Sequence, residues 1–127
     1  MTAGFGSSNI VQKIEELLIA AEEQRAIAAS QSQFAQAAAQ KAVAAASSDD
    51  AQSAVLEASQ AADRATQAAE SIRKIMQDAI VLLKAGNNKS VRADFLFDKI
   101  VVLEGEAASY SVLASRAAAE AKTATSQ

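Results

Sequence analysis

Apolar positions recur along this chain at alternating intervals of three and four residues, the spacing of one face of an α-helix. Three long segments carry the pattern. In the middle segment Val55, Ala58, Ala62, Ala65, Ala69, Ile72, Met76, Ala79 and Leu83 hold it without a miss. In the last segment Leu96, Ile100, Leu103, Ala107, Tyr110, Ala114, Ala117, Ala121 and Ala124 do the same. The first segment places Ile10, Ile14, Leu17, Leu18 and Ala21 on one face, and Ile27 and Phe34 lie two turns apart on a common side. The spacing predicts helices over about 9–46, 51–85 and 90–124. A Gly/Ser-rich, flexible lead-in of residues 1–8 precedes them, with Asn9 as the first N-cap.

Polar residues mark where the chain turns. Ser47-Ser48-Asp49-Asp50 favours a cap and an acidic helix start. Gly86-Asn87-Asn88 is a stronger stop, with Gly86 expected just past the helix end and Lys84 near the negative end of the dipole. Folding back at Gly86 sets Ala79 against Leu96, Met76 against Ile100, Ile72 against Leu103, Ala65 against Tyr110 and Ala62 against Leu113. Folding at Ser47–Asp50 sets Ile14 near Leu83 and Leu17 near Ile80. Both turns gather bulky residues at one end and alanines at the other. That agreement predicts an all-α fold in a single helical domain, an antiparallel three-helix bundle with alanine-rich, coiled-coil-type seams. The alternative has no turn at Ser47–Asp50: residues 9–85 then form one rod, and the third helix completes a long helical hairpin.

Composition narrows the chemistry. Thirty-three of the 127 residues are alanine, and Pro, Cys, His and Trp are absent. Alanine is the best helix former and proline the strongest breaker. A buried alanine contributes little, since one carbon is worth roughly 0.8 kcal/mol against about 1.5–3 for Leu, Ile or Phe. The core of one copy is thus modest, which suggests packing completed by other chains. Without His or Cys there is no Ser-His or Cys-His pair, no thiolate metal site and no Glu-x-x-His di-iron motif. Glu15/Glu16 and Glu22/Glu23 read as a solvated face. The glycines form no phosphate-cradling loop, and the threonines lack the regular spacing of an ice-binding helix. No enzyme activity, cofactor or metal is expected.

Net charge −3 and a pI near 4.9 argue against nucleic acid as the main partner. The basic stretch Arg73, Lys74, Lys84, Lys89, Arg92 and Lys99, diluted by Asp78, Asp94 and Asp98, reads as a solvated turn region. No run of 18 apolar residues spans a membrane. Met1–Asn9 has no basic region, and Ile10–Ala21 carries Lys13, Glu15 and Glu16, so no Sec-type signal is read there. Export by a route that needs no cleaved signal, or a cytoplasmic location, is the expectation.

What remains is association through helix faces. The seam alanines Ala58, Ala62, Ala65, Ala114 and Ala117, with Leu96, Phe97, Ile100 and Leu103 as an apolar anchor, are the candidate contacts. Phe95, Val102 and Leu113 lie off the seam, either covered by the first helix or open to another chain; Ile75, Ile80, Val81 and Leu82 pose the same choice. Gly105 marks a slight bend or a close approach to another backbone. Ile100–Gln127, with Val101-Val102-Leu103, Tyr110-Ser111-Val112-Leu113 and Ala114-Ser115-Arg116-Ala117, resembles the C-terminal helices of type III secretion rod, needle and pilus subunits. The resemblance covers about the last quarter of the chain and is one of composition and pattern. It implies an exported, non-enzymatic subunit that builds a homo-oligomer or filament of itself. The rival class is a helical adaptor or secretion partner that acts as a monomer or dimer and offers a groove to another helix.

Overall fold

A computed structural model describes the backbone of residues 2–86 and 90–126 and the side chains of residues 9–86 and 90–125. Three helices account for nearly all of it: α1, Thr2–Ala44; α2, Ser48–Gly86; and α3, Val91–Ser126. Each packs against the other two. At ~1.5 Å rise per residue they are about 65, 58 and 54 Å long. The chain does turn at 45–47, so the single rod over 9–85 does not form.

The two turns are closed by serine caps. The Asp50 N–H donates to Ser47 Oγ at 3.2 Å, while the Ser47 carbonyl accepts from the Ala51 N–H at 3.1 Å. Ser90 repeats the arrangement at the start of α3, its Oγ accepting from the Ala93 N–H at 3.2 Å and its carbonyl from the Asp94 N–H at 3.1 Å. In each case a side-chain oxygen satisfies a backbone donor that the helix cannot. Asp49 and Asp50 then place negative charge at the positive end of α2.

Cross-helix pairs fix the register. Thr66 Oγ1 and Ser111 Oγ lie 2.8 Å apart, and Arg73 Nη2 reaches Glu104 Oε1 at 3.6 Å. These contacts set α2 antiparallel to α3, within one residue of the expected pairs Ala65–Tyr110 and Ile72–Leu103. Lys41 Nζ to Glu57 Oε2, 3.8 Å, does the same for α1 and α2. Consequently α1 and α3 run parallel, and Arg92 Nε lies 3.6 Å from Glu15 Oε1. The ion pairs are largely exposed, so each is worth ~0–1 kcal/mol and marks the register more than it stabilises it.

Two core clusters fill the bundle. At the 45–47 end thirteen buried residues form one cluster, and every one is alanine: five from α2, four from α1 and four from α3. At the opposite end Ile14, Ile72, Leu96 and Ile100 are buried with seven further alanines. Half-buried Ile10, Leu17, Met76, Leu83 and Phe97 pack around them. Small side chains let helix axes approach to ~8 Å, the close limit of ordinary packing.

Four expectations change. Helix α1 starts at Thr2, so residues 2–8 are helical and Asn9 lies within the helix rather than capping it. A helix already nucleated extends at low cost, and no proline stops this one. Ile27 and Phe34 are exposed. The inward seam of α1 is Ile14, Ala21, Ala28, Ala35 and Ala42, because the close approach selects small residues and turns the bulky ones outward. Leu113 is likewise largely exposed, and Ala114 holds the inward place beside it. Finally, Gly86 is the last residue of α2 rather than the one past its end, and its φ lies outside the left-handed region. A Cβ there would meet the Cδ1 of Ile10, the far end of a flexible side chain that can turn aside, so neither backbone conformation nor a rigid neighbour demands glycine. Asn87, Asn88 and Lys89 lie outside the described residues.

Candidate interaction surfaces

The residues singled out on the sequence for contact between chains are mostly used within one chain. Ala58, Ala62, Ala65, Ala114 and Ala117 all lie in the thirteen-alanine cluster, and Leu96 and Ile100 in the other. Phe97 and Leu103 are half-buried against that second cluster. The first seven therefore present no free surface to a second copy in this fold.

The free apolar surface lies elsewhere, and α3 carries much of it. Val91 is 86% exposed, Phe95 53%, Val102 61% and Val112 49%, with Val101 and Leu113 also exposed. Phe95, Val102 and Leu113 are thus not covered by α1. Successive 3-4 steps put Val91, Phe95, Asp98, Val102, Gly105, Ser109, Val112 and Arg116 along one outward side, opposite the seam through Ile100, Ala107 and Ala114. A helix apolar on both its inner and outer sides is one that expects cover on both. On α2 only Val81 of the queried group is exposed, while Ile75, Ile80 and Leu82 are partly buried.

Gly105 sits in the middle of that outward side. A Cβ built there meets nothing within 4 Å, so no contact inside the chain calls for glycine. In a helix interior glycine costs about 1 kcal/mol relative to alanine. The contact with another backbone considered on the sequence is not made by this chain's own helices.

Two grooves run between α1 and α3. One, of about 370 Å³, is lined by Leu18, Glu22, Phe95, Asp98, Lys99, Val102 and Leu103. The Lys99 Nζ lies 4.7 Å from the centre of the Phe95 ring, keeping a cation over the one large aromatic face at its rim. The other, of about 490 Å³, lies beside the alanine end between Gln36, Gln40, Val43, Leu113, Arg116 and Glu120. Arg25 closes the stretch between them. Its Nε is 3.3 Å from Glu106 Oε1, its Nη2 donates to Tyr110 Oη at 3.3 Å, and its guanidinium carbon is 5.5 Å from that ring's centre.

Among the described residues no three acidic side chains gather as a metal-ligand set, and no helix is long and apolar enough to cross a membrane. The buried polar side chain is Ser32, which accepts from Gln36 Nε2 at 3.2 Å. The surface totals 7819 Å², against about 6,400 Å² expected of a compact folded monomer of the same mass. Three long helices lying side by side expose more surface than a compact body and leave ample lateral faces for contact. No family model, curated protein or solved structure matches the chain.

Proposed function

We propose that this chain is a non-enzymatic structural subunit that assembles with copies of itself through exposed helix faces, as exported bacterial filament and pilus subunits do. The observation that carries the reading is the row of exposed large apolar side chains along the outer side of α3. Several large apolar side chains left exposed along one side of a helix, rimmed by polar residues such as Asp98 and Arg116, support a site of association. The rod shape supports the same reading, because long lateral faces can be covered by equivalent faces of neighbours. A contact repeated head to tail gives an open polymer, and one repeated about a two-fold axis gives a closed pair. Export without a cleaved signal, or a cytoplasmic site of assembly, fits a subunit of this kind.

Light scattering and negative-stain microscopy of the concentrated protein test the proposal. It requires particles larger than one chain, and a strictly monomeric solution at every concentration removes it. A second reading, a helical adaptor, is favoured by the groove between Leu18, Phe95, Val102 and Leu103. An amphipathic partner helix would place its anchors there. That reading predicts a stable monomer or dimer and no extended assemblies.

A further inference from the structure

We infer that the outer side of α3 pairs with the same side of a second copy, antiparallel, about a two-fold axis beside Gly105. The inference rests on the self-assembly reading and specifies which face carries it.

Charge selects the second copy and its direction. The outward side carries Asp94 and Asp98 near the start of α3, and Arg116 with Glu120 one turn beyond it towards the other end, where Glu120 would face Val91 of the second copy. None of Asp94, Asp98 and Arg116 has an ion-pair partner among the described residues. In an antiparallel pair whose axis passes between Gly105 and Glu106, Arg116 of each copy lies opposite Phe95, between Asp94 and Asp98 of the other, twice by symmetry. A parallel pair stacks like charge on like, Arg116 on Arg116 and Asp98 on Asp98, which disfavours it. The apolar positions also meet their own kind of surface: Val102 faces Ser109 across the axis, and Phe95 lies under the stem of Arg116.

Glycine at the centre then has a reason. The two helices cross where a Cβ is missing from both, which allows close backbone approach. The stretch from Val91 to Glu120 is about 45 Å long at 1.5 Å per residue. A strip as wide as one helix, ~10–12 Å, then covers about 500 Å² per chain, near the lower bound of ~1,000 Å² in total for a specific interface. An interface of this size stands at the small, transient end of specific contacts.

The chain has no native cysteine, so single-cysteine variants report the geometry directly. Gly105→Cys, beside the axis, forms a disulfide-linked dimer under mild oxidation. Val91→Cys, at the far end, does not link to itself but does link to Glu120→Cys in a mixture. In sedimentation velocity Arg116→Glu weakens association at least tenfold, and Asp98→Arg in the same chain restores most of it. Circular dichroism and melting of each variant confirm that the bundle is intact. Self-linking of Val91→Cys as fast as Gly105→Cys overturns the antiparallel pairing. Association of the native chain that ignores both Arg116→Glu and the charge swap overturns the face while leaving self-assembly standing. A native chain that stays monomeric throughout sinks both.

Discussion

Replacing Ala65 with leucine tests how closely the helices lie. Ala65 is fully buried in a cluster whose thirteen buried members are all alanine. Leucine adds three carbons. Their transfer from water is worth about 2.4 kcal/mol at ~0.8 kcal/mol per carbon if room exists. Where none exists, the added volume forces neighbours off their rotamers or drives the helices apart, and overpacking of this kind costs a net ~1–3 kcal/mol. For a chain of 127 residues the entropy of unfolding makes each kcal/mol worth about 4 °C in melting temperature. The expected fall is thus roughly 4–11 °C, followed by circular dichroism on heating and by urea titration. Ala37→Leu, on the exposed side of α1, is the control and shifts stability by no more than ~0.5 kcal/mol. If Ala65→Leu melts at or above the native temperature, the seam holds unused space and the close-packing argument is wrong.

At the other end of the bundle stability is lost by removing bulk rather than adding it. Ile72 is fully buried there, so Ile72→Ala loses ~2–5 kcal/mol by urea titration. A loss below ~1 kcal/mol would mean that the end collapses around the gap. Ser47→Ala and Ser90→Ala each remove a cap and lower stability by ~1 kcal/mol, additively because the sites lie at separate turns. Gly105→Ala fills open space and replaces a poor helix former, so it raises the melting temperature by about 4 °C. The same substitution weakens self-association, and a variant that melts higher yet associates as well as the native chain would place the contact elsewhere.

Much of the fold could be read from residue spacing. The seams of α2 and α3 face inward as their 3-4 pattern requires, from Val55 to Leu83 and from Leu96 to Ala124. The register followed from matching bulk to bulk around the turns: Ala65 was expected opposite Tyr110, and the neighbouring Thr66 bonds Ser111. In α1 the same reasoning misplaced Ile27 and Phe34. From Ala28 on, that helix mixes alanine with serine and glutamine, so hydropathy contrast is low and bulky Ile27 and Phe34 dominate the reading. Distance of approach, which sequence spacing does not encode, decides that Ala28 and Ala35 go inward instead. The contact residues suffered from the same confusion. Alanines that allow close packing look alike whether the neighbour belongs to the same chain or another, and here Ala58, Ala65 and Ala114 serve the chain's own core. The signal for the outer surface was present in Phe95, Val102 and Gly105, which lie off the seam, but its meaning depended on where α1 lies.

Sedimentation equilibrium of the native chain, from micromolar to millimolar concentration, tests the central claim most directly. Three helices complete one core and leave a second apolar side on α3 uncovered. The weight-average mass should therefore start near 13.1 kDa and climb towards twice that value, or beyond it if pairs assemble further, as concentration rises. A mass that stays at 13.1 kDa across the whole range would contradict the account.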